Sequence, residues 1–214
     1  MKLPNVLSFL HGLGDPPPER VTRTLSMADI TAYKAFVSAL SAQTKYQRTL
    51  GGAITPSEAQ FIQLLSPKPP FEIVLGTFIG DELLAVGRFA PVLEVKKQNR
   101  VQVSEFAITV ADVWQGMGLG TSLLKQLKVE AAKVGYSQMM AWVFADNVGM
   151  ISLAQSQGFA IVVDKEADVG VQRLQCSLLA TSALLNVRTP KTTPAINKPM
   201  PKALSQPGDV SLQR

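Results

Sequence analysis

The sequence predicts one mixed α/β domain, its sheet antiparallel in the N-terminal half and wound β-α-β-α-β in the C-terminal half. Three observations lead there. Two apolar runs, 71–79 (FEIVLGTFI) and 82–90 (ELLAVGRFA), flank Gly80-Asp81, a pair able to take the positive φ angles of a tight hairpin turn. Residues 114–121 (WQGMGLGT) place three glycines between a strand-like run and an amphipathic helix. Residues 137–144 (SQMMAWVF) are almost continuously apolar, as a strand buried on both faces is.

The other elements follow in order. Residues 20–26 (RVTRTLS) alternate like a strand, and Ser26 with Asp29 forms a capping-box pattern. The helix it opens carries Ile30, Tyr33, Phe36, Val37 and Leu40 at helical spacing. Thr55-Pro56-Ser57-Glu58 starts a second helix through Phe61, Leu64 and Leu65, with Pro at its first position. After the hairpin, a polar loop with Lys96, Lys97 and Arg100 leads to a third antiparallel strand, 101–110 (VQVSEFAITV). Beyond the glycines, Leu119, Leu123, Leu124, Leu127, Ala131 and Val134 form one apolar stripe that Gly135 ends. Asn147 caps a further helix ending at Gln157-Gly158, and strands at 159–163 and 171–179 complete the core. A helical crossover therefore joins strand 101–110 to strand 137–144.

The chain has 214 residues, 46% hydrophobic and 17% charged, which suits one domain with a real core. No apolar run reaches the roughly 18 residues of a membrane span. Residues 1–19 begin with a short apolar stretch interrupted by Pro4 and read as an arm rather than a signal peptide. The single cysteine, Cys176, excludes a disulfide framework or a cysteine metal cluster, and points to a cytoplasmic protein. Cys176 lies mid-strand and is expected to be buried and inert. The net charge of +5 is concentrated in 181–214, where Arg188, Lys191, Lys198, Lys202 and Arg214 face only Asp209. That proline-rich stretch is expected to be a basic, disordered tail on a domain spanning 20–180. It lacks aromatic residues for base stacking, which argues against a specific nucleic-acid partner.

Three phosphate motifs can be tested against the glycine loop. A P-loop needs Lys before Ser/Thr after its last glycine, and Thr121-Ser122 have none. A dinucleotide fingerprint needs glycine where Thr121 stands. The pattern Q/R-x-x-G-x-G/A is met by Gln115, Gly118 and Gly120, where loop and helix N–H groups converge on a pyrophosphate. The bland alternative is a turn that only permits close strand–helix packing.

From Glu105 to Phe159 the segments EFAITVADVWQGMGLGTSLLKQL and NVGMISLAQSQGF resemble the GNAT superfamily of N-acetyltransferases. Together with TKYQRTL upstream, they resemble in particular the acetyltransferase domain of protein-lysine acetyltransferases. This implies a GNAT-like fold, acetyl-CoA as donor and cosubstrate without a metal, and a primary amine as acceptor. The resemblance assigns cofactor contacts to Ile108 and Val110 along the strand, to Gln115, Gly116, Met117, Gly118, Gly120 and Thr121 in the loop, and to Asn147. Asn147 can serve the pantetheine arm, cap its helix, or do both.

An amine is protonated at neutral pH and must lose a proton before attacking. Glu105 is the best base: it lies ten residues before Gln115, where the similar lysine acetyltransferases carry their catalytic glutamate. Val103, Phe106 and Ala107 are expected to desolvate it; the alternative is a solvent-facing strand residue. The only histidine, His11, sits in the N-terminal arm. Seven residues after the Asn the family often has a Tyr that protonates the departing thiolate, but here Ala154 stands there. Met150 and Leu153 read as core. Tyr46 and Arg48 line an acceptor site or an ordinary surface loop. The acceptor is thus a protein lysine or a small amine. A sensor that keeps acyl-CoA without turnover is the competing reading, no membrane partner is expected, and a homodimer stays open.

Overall fold

A computed structural model describes residues 19–52, 56–92, 102–163 and 168–179. The N-terminal arm with His11, the loop with Lys96, Lys97 and Arg100, and the basic tail lie outside these. Seven strands form one sheet: β1 (Arg20–Thr24), β2 (Ile73–Ile79), β3 (Glu82–Pro91), β4 (Val103–Val110), β5 (Gln138–Phe144), β6 (Ala160–Val162) and β7 (Val171–Ser177). Their spatial order is β1-β2-β3-β4-β5-β7-β6, so the last strand inserts between β5 and β6. The pairs from β1 to β4 are antiparallel, whereas β4 and β5 run parallel, joined by the crossover helix α4 (Leu119–Lys133). The mixed sheet is the expected one.

Each face carries its own core. On one, the α4 stripe of Leu119, Leu123, Leu124, Leu127 and Ala131 packs against Phe89, Phe106, Ile108, Met139 and Leu174. Helix α5 (Val148–Ser156) adds Ala154 and Phe159 follows it. On the other face, α1 (Ile30–Ala39) and α3 (Glu58–Leu64) bury Tyr33, Phe36, Val37 and Phe61 against Val74, Phe78 and Val86. Cys176 is buried as expected, and desolvation holds its thiol above the ordinary value.

Two expectations need correction. The Ser26–Asp29 capping box is present, but it opens a short 3-10 turn ahead of α1. The helix expected at Thr55 starts after Ser57, whose hydroxyl accepts from the Gln60 N–H, so Pro56 precedes the cap. Moreover, residues read as a connection form a further helix, α2 (Ala42–Arg48), capped by Ser41. Among the described residues no helix is long and apolar enough to cross a membrane.

Candidate active site

Between β4 and β5 the sheet comes apart. The two strands pair only from Val103–Gln138 to Glu105–Met140. Beyond that, β4 stays bonded to β3 as far as Val110, and β5 to β7 as far as Phe144. The gap opens into a cavity of about 490 Å³, with Phe106 to Val110 on one wall and Ala141 to Val143 on the other. The facing strand edges carry main-chain donors and acceptors with no strand between them, a setting for an extended ligand rich in amides.

The glycine loop closes one end of this cavity. Gly116 (φ +75°) and Gly118 (φ +81°) adopt the left-handed region, and the space where a Cβ would stand over each is open. Gly118 is also the N-cap of α4, and no side chain caps that helix. The first-turn N–H groups of Leu119, Gly120 and Thr121, which have no intrahelical partner, therefore stand uncapped at the cavity wall. Gly120 is needed for another reason: a Cβ there would lie 2.5 Å from Leu153 Cδ1. Two glycines thus make the turn, while the third lets α4 approach α5, a helix–helix contact rather than the strand–helix packing expected.

Of the cofactor residues named from the sequence, Ile108, Val110, Gln115, Gly116, Gly118, Gly120, Thr121 and Asn147 line the cavity. Met117 does not, and is 52% exposed. The Gln115 amide folds back, donating to the Val110 carbonyl at 3.2 Å and to Thr44 Oγ1 at 3.4 Å. Asn147 Oδ1 accepts from the Met150 N–H at 3.1 Å, so its capping role is real. Met150 and Leu153 pack on the core and also line the cavity. Among the described residues no group of three or more His, Cys, Asp or Glu side chains could hold a metal ion.

Glu105 lies at the fork, on the last paired row of β4 and β5, and lines the cavity. Burial lifts its carboxyl above the ordinary carboxylate value, against the opposing pull of Arg88. Arg88 faces Ala107 across β3 and β4 while Ala90 faces Glu105, so Arg88 is the diagonal neighbour of Glu105 on the same face. Phe106, expected to desolvate Glu105, does not: strand alternation turns it to the α4 core, where its ring meets Phe159 at 5.0 Å.

Helix α2 covers the fork on the Glu105 side and contributes Thr44, Gln47 and Arg48, followed by Leu50, to the lining. It is held at both ends. Asp112 accepts from the Ser41 N–H (2.8 Å), the Ser41 hydroxyl (2.7 Å) and the Thr44 hydroxyl (2.7 Å). Near the C-terminal end, the Tyr46 ring stacks on Phe144 with centroids 4.9 Å apart. Arg48 Nη2 donates to the phenol oxygen of Tyr33, a residue 1% exposed. Asp112, Thr44, Gln47 and Trp142 were not singled out from the sequence. The Ser41–Thr44 cap was the available signal for α2. Ala154 is 0% exposed and packed in the core, so no hydroxyl reaches the cavity from that position.

Known proteins resemble this chain in sequence and in fold. The family described as acetyltransferase (GNAT) family matches residues 40–159, more than half of the chain. Acetyltransferase Pat of Mycolicibacterium smegmatis is 29% identical over 137 residues, covering 58% of this chain and 40% of that protein. The matched region thus spans less than half the length of this relative. Among solved structures, the GNAT domain of S. lividans PAT superposes with a TM-score of 0.64 at 22% identity, covering 73% of this chain and 89% of that one. The ribosomal-protein-alanine N-acetyltransferase of Brucella melitensis gives 0.59 at 20%, covering 73% and 99%. The protein yncA of Salmonella typhimurium, solved with its cofactor acetyl-CoA, gives 0.56 at 20%, covering 74% and 94%. At such identities these structures establish a common fold. With more than half of its length matched, the chain belongs to the acetyltransferase (GNAT) family, enzymes that draw their acetyl group from acetyl-CoA.

Proposed function

We propose that the protein acetylates a primary amine by direct attack, with Glu105 as general base, and that a protein lysine is the acceptor. The observation that carries this is Glu105 at the fork of β4 and β5, in one cavity with the uncapped N-terminus of α4. The residues present fit acetyl-CoA. The N–H groups of Gly118 to Thr121 would hold its pyrophosphate, and the open edges of β4 and β5 its pantetheine amides. When bound, acetyl-CoA supplies an activated thioester. Glu105 takes the ammonium proton, and its raised pKa keeps it a stronger base than an ordinary surface carboxylate. Leu119, Leu153 and Met150 would offer the ligand apolar contacts in the cavity wall. The lysine acceptor rests on the resemblance of EFAITV and NVGMISLAQSQGF to lysine acetyltransferases.

The buried Ala154 favours a second reading, an acyl-CoA-binding module without turnover. Two measurements separate the two readings. Millimolar acetyl-CoA should raise the melting temperature, because a ligand bound only by the native state stabilises it. The same protein should release free CoA when given lysine peptides and amines. Stabilisation without release would favour the module, and no stabilisation would overturn both.

A further inference from the structure

One guanidinium and one carboxylate stand in the cavity wall beneath α2. Arg48 and Glu105 both line it, and Arg88 stands diagonally beside Glu105. Among the described residues neither guanidinium forms an ion pair with a carboxylate. Arg48 is anchored through one nitrogen on the buried Tyr33 phenol, which fixes the head of the side chain. A guanidinium has five N–H donors, so that anchor leaves most of its donors unspent. An ammonium with no other charge meets the Arg48 guanidinium in the cavity wall, and the one carboxylate in that wall, Glu105, already feels the charge of Arg88. Like-charge juxtaposition of this kind rejects a ligand. An acceptor that brings its own anion reverses the sign of the interaction and meets a donor fork shaped for a carboxylate.

We propose that the acceptor is a zwitterion, an amine whose own carboxylate is bound by the Arg48 guanidinium while the amine faces Glu105. This rests on the amine-acetyltransferase reading above. Two sources share the chemistry: a free amino acid, or a lysine with an acidic residue beside it in a peptide. Arg48 is then a specificity determinant, and polycationic amines and lysines in basic surroundings are excluded.

The test measures release of CoA from acetyl-CoA with two matched series. One is a set of lysine peptides alike except for Asp, Asn or Arg beside the lysine. The other is a set of free amino acids against their carboxamides. The parental protein should prefer the anionic member of at least one series by about tenfold or more in kcat/KM, a scale set by losing one charge-assisted contact. The Arg-flanked peptide should be the poorest. Whichever series shows the preference identifies the source. Arg48→Gln should bring the ratio close to one through KM of the anionic member, with acetyl-CoA affinity unchanged, and Arg48→Lys should keep part of it. Tyr33→Phe removes the anchor but not the charge, and should retain a preference, which separates charge recognition from a fold defect. If neither series is turned over, binding of each member to the CoA complex is measured by calorimetry, with the same preference expected. Equal handling of charged and neutral members, or a preference that survives Arg48→Gln, overturns the proposal while the acetyltransferase reading stands. A protein that acetyl-CoA does not stabilise overturns both.

Discussion

The carboxylate of Asp112 holds both the main-chain N–H and the hydroxyl of Ser41, 71 residues earlier in the chain, at 2.8 and 2.7 Å. Asp112 lies two residues before the glycine loop, and Ser41 caps the helix that covers the fork. A helix of seven residues does not persist in water without outside support. Asp112→Ala should therefore loosen α2, costing about 1 kcal/mol of stability in line with a lost cap. The acceptor KM should rise several-fold while acetyl-CoA affinity changes little. A variant that loses acetyl-CoA affinity as much as acceptor affinity would place Asp112 with the loop alone.

Glu105→Gln keeps the shape of the site and removes the proposed base. Turnover should fall by on the order of a hundredfold, with the deficit shrinking at high pH, where more of the amine arrives unprotonated. For the parental protein, kcat/KM should climb as pH rises through the raised Glu105 value. Stability should move the other way. A carboxylate whose pKa is higher folded than unfolded binds more protons in the native state. The native state therefore loses stability as pH rises from the ordinary carboxylate value through the raised one. Glu105→Gln should melt no lower than the parent at pH 7, and any gain should vanish near pH 4. A large fall in melting temperature at neutral pH would make Glu105 structural.

Gly118→Asp should abolish acetyl-CoA binding. The residue sits at φ +81°, which costs any L side chain, and a carboxylate there would stand at the N-terminus of α4 where the pyrophosphate is proposed to lie. Gly118→Ala carries the strain without the charge and should retain weak binding. Calorimetry with acetyl-CoA decides it: equal loss in both variants would assign the defect to backbone strain.

The acid limb of stability should depend on Asp29. Its carboxylate, 9% exposed, meets Arg23 at 2.7 Å and accepts the Ser26 N–H at 3.0 Å. The Arg23 hydrogen bonds, aided by those from Ser26, outweigh desolvation and hold its pKa below the usual range. A depressed carboxylate stabilises the fold above its unfolded value, roughly 3.9, and that contribution is lost as pH falls through the folded value. Asp29→Asn should lower stability at pH 7 by about 1–3 kcal/mol and flatten the loss between pH 5 and 2. Urea titrations across that interval would show it, and parallel curves for parent and variant would contradict it.

Much of this fold was legible because its signals were local. The Ser26–Asp29 cap, the turn at Gly80, the α4 stripe and the Asn147 cap each involve neighbours in sequence. Helix α2 was missed because AQTKYQR buries none of its residues fully; its support comes from Asp112 and Phe144, far along the chain. Of the site, the position of Glu105 and the loop were readable. The environment of Glu105 was misjudged at Phe106, although alternation along β4 alone sends neighbouring side chains to opposite faces. Arg88 entered only through the β3–β4 register. The reason for Gly120 lies in Leu153 on another helix, a contact that no local pattern reveals.

Three residue pairs between β4 and β5, extended by the Gln102 carbonyl that accepts from Ser137, form the seam of the sheet between a four-stranded antiparallel half and a three-stranded one. The seam itself is short, and the two halves of the sheet are joined chiefly through the α4 core, which packs against strands of both. A ligand lying in the fork as proposed would act as a partial eighth strand and bridge the two strand edges. Amide exchange should reveal this directly: without ligand, the main-chain amides of 141–144 and 106–110 that face the fork should exchange by local opening. Acetyl-CoA should slow them toward the rate of global unfolding, while amides in β2 stay unchanged.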